Sequence, residues 1–125
     1  MTGSLVRASD AGAWRTWLLA HATTEPEAWL VLEHRDSPRP GIGMVEAVEH
    51  ALCVGWIDST RRRHDEHASV MRFSPRRRRS TWSASNRERV ARLTAAGLMT
   101  PAGLGAVERA RALGTWDPTP TGTVG

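Results

Sequence analysis

Apolar segments with helical spacing alternate along this chain with segments spaced like β-strands, and this alternation constrains the fold more than any other feature. Between Trp14 and His21 the apolar positions follow the i, i+3, i+4, i+7 pattern of one helix face. The run Ala28–Leu32 is apolar, short and bounded by charged residues, which favours a buried strand. In Val70–Phe73, apolar side chains alternate with Arg72, as in a half-buried strand.

The resulting order is helix, strand, helix, strands and then two helices. It predicts an α+β fold: a single small domain with a short β-sheet packed by about four helices. The predicted helix starts are Asp10, Met44, Ser83 or Ser85, and Thr100, and the stops lie before Pro26 and at Gly55, Gly97 and Gly114. The apolar positions Val45, Val48, Ala51 and Leu52 fit the second helix. In the third helix Val90, Leu93 and Ala96 are expected to point inward, and Leu104, Val107 and Arg111 share one face of the last helix. Trp56–Asp58 begins a new element directly after a helix stop.

With 125 residues, of which 40% are hydrophobic, the chain is long enough for one core and short for two. We expect a flexible N-terminus at residues 1–8, a domain at 9–116 and a flexible tail at 117–125, where no packing periodicity is visible. No apolar run approaches the roughly 20 residues that span a bilayer. The sequence therefore predicts a cytoplasmic protein, and its one cysteine provides no disulfide framework.

Tryptophan, arginine and asparagine recur in three short blocks, Ala51–Asp58, Met71–Arg76 and Thr81–Asn86. These blocks resemble the YdeI/OmpD-associated family of OmdA-like, bacteriocin-protection-type bacterial proteins, which are linked to stress and antimicrobial-peptide protection. The resemblance extends from about Trp14 to Leu113. This chain departs from the family pattern at Ser59, at Arg78 and Arg79, and near Ser69. A ligand site that used the aromatic residue common near Ser69 is altered here.

Six residues from these blocks are candidates for one ligand-binding cleft. They are Trp56, Asp58, Arg72, Arg76, Trp82 and Asn86. Aromatic walls, a carboxylate, guanidinium forks and an amide together suit an anionic or heteroaromatic ligand. The alternative is that the tryptophans anchor the core and that Asp58 pairs with Arg72 or caps a turn. Trp14, Trp17 and Trp29 are expected in the core, and Trp82 is expected to tolerate substitution better.

All seventeen basic residues are arginines, and the net charge is +4. Seven of them form two clusters, Arg61–Arg63 and Arg76–Arg79, and high-GC codon usage explains part of this composition. Arg77, Arg78 and Arg79 are predicted to dock anions, with solvated loop faces as the alternative. The expected partner is an anionic or aromatic small molecule or a peptide. Nucleic acid is less favoured, because the chain has no recognition motif.

His50 and Cys53 are spaced like metal ligands, as are His64 and His67. Since buried cysteine is commonly a small hydrophobe, no metal or cofactor is predicted. Cys53 lacks an evident orienting group for a nucleophilic role. The function expected from the resemblance and the residues together is a non-catalytic stress or antimicrobial-resistance protein that binds an anionic or amphipathic partner. The alternative is a small enzyme of a natural-product pathway that uses Asp58 as acid or base while arginines hold the substrate.

Overall fold

The computed structural model describes residues 4–77 and 79–117 as a small α+β domain with four strands and four helices. In chain order the elements are β1 (Ser4–Val6), α1 (Ala11–His21), β2 (Ala28–Glu33), α2 (Met44–Cys53), β3 (Trp56–Asp65), β4 (Ala68–Pro75), α3 (Ala84–Ala95) and α4 (Pro101–Leu113). This confirms the predicted order of helices and strands from α1 onwards. None of these helices has the length and apolar character needed to cross a membrane.

The sheet has the strand order β1-β2-β4-β3, with β1 parallel to β2 and the remaining pairs antiparallel. Leu30 faces Met71 across the β2–β4 pair, and Trp29 faces Arg72. Because successive side chains of a strand point to opposite faces, these two pairs lie on opposite sides of the sheet. Buried residues of all four helices join one cluster with Leu30, Met71 and Phe73, so the helices cover a single face.

The second face of the sheet carries a smaller buried cluster of Trp29, Val31, Ala68 and Val70. Arginine side chains take the place of a helix layer here. The Arg62 guanidinium carbon lies 5.3 Å from the Trp29 ring centroid. Nη2 of Arg7, beside β1, lies 3.1 Å from Nε2 of His64 on β3, which joins opposite edges of the sheet. The long arginine stems thus keep apolar surface from water while their charged ends stay solvated.

The helix starts follow the predicted capping residues. The carboxylate of Asp10 accepts a hydrogen bond from the Ala13 amide at 2.8 Å, and Ser83 and Thr100 cap α3 and α4 in the same way. Ser83, rather than Ser85, is therefore the cap of α3. After α2, Gly55 has a φ of 81°, which lies in the left-handed region that favours glycine. The predicted stop at Gly55 is confirmed.

Two stretches of strand were not predicted from the sequence. Ser4–Val6 pairs with β2, although residues 1–8 were expected to be flexible. β3 continues to Asp65 through Arg61–Arg63, which we had interpreted only as a charged cluster. A run of charged residues does not by itself indicate a strand. This part of β3 is extended because it pairs with β4. The predicted tail at 117–125 lies outside the described residues except for Asp117, and residues 1–3 also lie outside them.

The predicted buried faces are only partly right. His21 on α1 and Ala96 on α3 were expected to be buried, but both are exposed. Val45 on α2, which is 59% exposed, and Leu104 on α4, which is 41% exposed, also lie outside the core although they share helical stripes with buried residues. Helical spacing identifies residues on a common stripe, but the neighbouring elements decide which part of that stripe is covered. On α4 the covered part consists of small residues, namely Gly103, Ala106, Val107 and Ala110.

The tryptophans predicted for the core occupy three different environments. Trp14 is fully buried, and its Nε1 donates to the carbonyl oxygen of Ala47 at 3.0 Å. Trp17 stacks on Trp14 with ring centroids 5.6 Å apart, but it is only partly buried. Trp29 is buried in the cluster on the helix-free face.

Candidate functional site

Trp56 and Trp82 were expected as aromatic walls of a cleft, and both are buried. Trp56 is 1% exposed, and its Nε1 donates to the carbonyl oxygen of Ala22 at 3.2 Å. Trp82 is 3% exposed and packs against Trp116 with ring centroids 5.1 Å apart. The alternative interpretation, core anchoring, therefore describes Trp56, and burial contradicts the expected tolerance of Trp82 to substitution.

Arg72 lies on the helix-free face and is engaged by protein groups. Its Nε donates to Oε1 of Glu27 at 2.6 Å, and Oε2 of the same carboxylate accepts from Nε1 of Trp29 at 3.1 Å. Asp58 faces Phe73 in the register, so it points to the helix-covered side. Arg72 and Phe73, the residue opposite Asp58, are adjacent on β4, so their side chains point to opposite faces of the sheet. Arg72 and Asp58 therefore do not line one cleft, and the predicted single cleft is wrong.

Asp58 and Asn86 do come together. They border a groove of about 290 Å³, the α2–α3 groove, whose lining is Met44, Val45, Val48, Asp58, Ser83, Ser85, Asn86 and Arg89. Nη1 of Arg89 donates to Oδ1 of Asn86 at 2.9 Å, which fixes the orientation of the amide. The groove thus has an apolar wall on α2 and a polar wall on β3 and α3.

Arg76 is the most constrained of the candidate residues. Its guanidinium carbon lies 3.7 Å from the Trp82 ring centroid, a close cation–π contact. Nη2 donates to the carbonyl oxygen of Thr81 at 2.7 Å, while Nε and Nη1 are buried and have no hydrogen-bond partner. Burial lowers the pKa of Arg76 to about 10, although the negative charge of Asp58 acts in the opposite direction. The guanidinium therefore remains charged at neutral pH, with part of its donor capacity unused.

Arg76 belongs to a pocket of about 190 Å³, the arginine pocket, lined by Arg76, Arg77, Trp82, Ala106 and Arg109. Arg77 and Arg109 are exposed, and the described part of the chain places no carboxylate in an ion pair with either. Other arginines are neutralised, as when Arg92 pairs with Glu49 at 2.7 Å. Positive charge that no ion pair of the described residues neutralises is thus concentrated in this pocket.

The loop after β4 contains Arg77 and Arg79, and Arg77 lines the arginine pocket. The Ser80 amide donates to the Arg77 carbonyl oxygen at 3.0 Å, and the Arg77 amide donates to Oγ of Ser80 at 3.1 Å. This closed turn leaves Arg77 and Arg79 exposed. Arg78 lies outside the described residues. The predicted docking role of these residues stays a prediction.

Trp82 forms the floor of the arginine pocket without an open stacking face. Arg76 lies over its ring, and Trp116 packs nearby. The carbonyl oxygens of both tryptophans accept from Nη1 of Arg87, at 2.9 and 3.1 Å. A group that entered this pocket would therefore meet guanidinium groups rather than an open ring face. This favours a compact anion, and the volume lies below the roughly 300 Å³ of pockets for drug-sized ligands.

Sequence reasoning missed Arg109, which belongs to no motif and lies far along the chain from Arg76. It reaches the pocket because α4 packs closely on the end of α2. A Cβ placed on Gly103 would lie 2.1 Å from the carbonyl oxygen of Cys53, so glycine is required for this approach. Ala106 and Arg109 are one helical turn apart, so they lie on the same face of α4. This spacing was the sequence signal that could have placed Arg109 at the pocket.

The histidine and cysteine candidates are dispersed. No group of three possible metal ligands occurs within residues 4–77 and 79–117. Nδ1 of His50 lies 3.5 Å from Nη1 of Arg15, and burial is the main cause that lowers the pKa of His50. Cys53 is buried, and burial raises the pKa of its thiol, which opposes formation of a nucleophilic thiolate.

The described residues form a small α+β domain with an arginine-lined pocket at one end of its sheet. The chain belongs to a family described as a domain of unknown function (DUF8412), whose model matches residues 6–106. That match contains β2, β3, β4 and the last residue of β1, and it ends before Arg109. No curated protein and no solved structure matches the chain.

Proposed function

We propose that this protein binds a compact anionic ligand, or the anionic group of a larger molecule, in the arginine pocket. The observation that carries the proposal is the convergence of Arg76, Arg77 and Arg109, none of them ion-paired within the described residues, on one concavity. A phosphate or carboxylate would supply the missing acceptor oxygens. Charge-assisted hydrogen bonds to guanidinium groups are among the stronger polar contacts in proteins.

Electrostatics supports the same choice. Removing Arg76 from water disfavours its charged form, and an anion in the pocket would offset this cost by direct attraction. Arg77 and Arg109 add like charges nearby, so the pocket repels cations. Asp58 opposes anion binding because its own negative charge acts on Arg76. The balance of charge around the pocket is nevertheless positive.

For the biological role we propose a cytoplasmic, non-catalytic protein of stress or antimicrobial resistance, as the resemblance to YdeI/OmpD-associated proteins implies. The anionic group would belong to a small molecule or an amphipathic peptide. Deleting the gene and challenging the cells with antimicrobial peptides tests this role. Protection should return with the wild-type gene and not with one that encodes Arg109→Gln.

A small enzyme remains the second proposal, and one observation favours it. Asp58 lies in the α2–α3 groove beside hydroxyl groups of Ser83 and Ser85, and its charge also acts on Arg76. A carboxylate between a groove and an anion pocket could exchange a proton with a ligand held by the arginines. This proposal requires turnover, whereas the binding proposal does not.

Titration calorimetry with inorganic phosphate and pyrophosphate tests the arginine pocket directly. Arg109→Gln should weaken pyrophosphate binding by about tenfold, since it removes one charge-assisted contact. The melting temperature without ligand should change little, because Arg109 is exposed.

Arg111→Gln on the same helix provides the matched control. Arg111 lies 3.7 Å from Glu108 and does not line the arginine pocket. It should therefore retain wild-type affinity for pyrophosphate. Equal losses in the two variants, or no binding by the wild-type protein, would refute the proposed pocket.

A further inference from the structure

A second concentration of positive charge lies on the free edge of the sheet. Within residues 4–77 and 79–117, β3 is the outermost strand and pairs only with β4, whereas the opposite edge is the three-residue strand β1. Residues 59–63 of β3 are exposed throughout. They include Arg61, Arg62 and Arg63, which we call the arginine edge. Along this edge, backbone donors and acceptors face solvent in strand geometry.

The arginine edge has no acidic partner within the described residues. Nη1 of Arg61 lies 3.8 Å from the sulfur of Met44, and the guanidinium of Arg62 lies over Trp29. Nearby Asp65 is occupied, since Arg39 lies 3.0 Å from its Oδ2. Arg61 and Arg63 point to one face of the strand and Arg62 points to the other, so the positive charge lies on both sides of this edge. Register shifts on either side of Arg61–Arg63 leave this triplet as a regularly paired segment opposite β4.

We propose that the arginine edge binds an extended acidic peptide segment, which adds to the sheet as a strand beside β3. Backbone hydrogen bonds would supply alignment, and carboxylates at alternate positions of the peptide would neutralise Arg61 and Arg63, which point to the same face. This surface is separate from the arginine pocket, and the proposal does not depend on the function proposed for that pocket.

Charge and chemistry select this occupant over two others. Pairing of β3 with β3 of a second copy would bring two arginine triplets together, and like charges directly opposite one another destabilise a sheet. Single-stranded nucleic acid has no backbone that can extend a β-ladder, and it binds best where aromatic rings are open for stacking. Trp29, the ring beside Arg62, is only 5% exposed.

A labelled peptide of about ten alternating glutamate and threonine residues serves as the probe, with fluorescence anisotropy as the readout at about 0.15 M salt. Arg61→Thr with Arg63→Thr should weaken binding by about tenfold, while threonine preserves strand propensity. The matched control is Arg92→Gln with Arg111→Gln, which removes the same charge from exposed positions on α3 and α4 rather than on the sheet and should leave the affinity unchanged.

Backbone pairing is tested separately from charge. The same acidic peptide, methylated on alternate backbone nitrogens, should lose most of its binding because it cannot complete the ladder. Hydrogen exchange of amides in residues 59–63 should slow when the unmodified peptide is bound. Equal binding of the methylated peptide, equal losses in both double variants, or tighter binding of a single-stranded oligonucleotide of equal charge would overturn the proposal. The arginines would then serve only to protect the edge from aggregation.

Discussion

Arg76 and Cys53 show how burial acts on individual ionisable groups in this protein. Arg76 lies over Trp82 and donates to Thr81, and it retains its charge at neutral pH because burial lowers its pKa only to about 10. Cys53 instead stays neutral, since burial raises the pKa of its thiol. The sequence placed Arg76 near Trp82, but it contained no sign that the two side chains would be in contact.

The neutral thiol of Cys53 should make stability fall in alkaline solution. The ordinary pKa of the thiol is 9.0, and the folded protein raises it. Below pH 9 both states hold the proton, so the thiol contributes no slope. Above pH 9 the unfolded chain releases the proton first, and the free energy of unfolding decreases as the pH rises towards the folded pKa. Lysine and tyrosine, which would otherwise titrate in this range, are absent.

Urea denaturation of the wild-type protein and Cys53→Ala between about pH 8 and 10.5 measures this effect. The variant should be less stable at pH 8, because it loses buried contacts, but it should lack the alkaline decrease that comes from the thiol. Both proteins retain Arg76, so the difference between their slopes isolates Cys53. Parallel pH profiles would contradict a buried neutral thiol.

The elements that the sequence predicted correctly are those with local signals. Asp10, Ser83 and Thr100 cap helices through hydrogen bonds to amides three residues away, and such contacts are visible in the sequence. β1 and the second half of β3 were missed because their reason is a partner strand remote in sequence. Partner strands also determine the edges of the sheet, so the arginine edge could not be predicted from its charges.

The packing of α4 on α2 depends on one glycine, and this gives a prediction for the element. Gly103→Ala would place a Cβ 2.1 Å from the carbonyl oxygen of Cys53, which is rigid backbone at the end of α2. That carbonyl also accepts a hydrogen bond from the Thr100 hydroxyl at 2.6 Å, so it cannot withdraw without loss. Overpacking of this kind typically costs about 1–3 kcal/mol of unfolding free energy.

Gly105→Ala is the matched control on the same helix. Its Cβ would meet only Nη1 of Arg109, at 3.4 Å, and this flexible side chain can move. Because alanine favours a helix over glycine by about 1 kcal/mol, Gly105→Ala should stabilise the protein. Chemical denaturation of both variants should therefore give changes of opposite sign. A stable Gly103→Ala protein would show that α2 and α4 are not in close contact.

Across the whole molecule, the sheet separates residues that the sequence had grouped together. Arg72 faces the helix-free side, Asp58 faces the helices, and Arg76 lies where β4 ends. The alternation around Arg72 was predicted, but the register that opposes Asp58 to Phe73 has no sequence signal. Four of the six proposed ligand residues therefore come together, but in two separate places, as the pair of Asp58 with Asn86 and the pair of Arg76 with Trp82.

Asp58 belongs to the first of these pairs and acts on Arg76 of the second, so its substitution distinguishes the binding proposal from the enzyme proposal. Its negative charge acts on Arg76, so Asp58→Asn should make the arginine pocket more positive. If the protein is a binder, pyrophosphate affinity should increase by about threefold to tenfold, with a smaller gain at high salt. If Asp58 is a catalytic acid or base, the variant should lose turnover of the physiological ligand.

Asp36→Asn removes the same charge from a side chain that is 73% exposed, in the loop after β2, beyond the opposite end of the sheet from Arg76. Calorimetry should find its pyrophosphate affinity close to wild type, because screening limits charge effects to about 10 Å at 0.1 M salt. A gain confined to Asp58→Asn would locate the anion beside Arg76. Equal gains in both variants would instead reflect net charge, and a loss of affinity in Asp58→Asn would mean that the carboxylate helps to position the ligand.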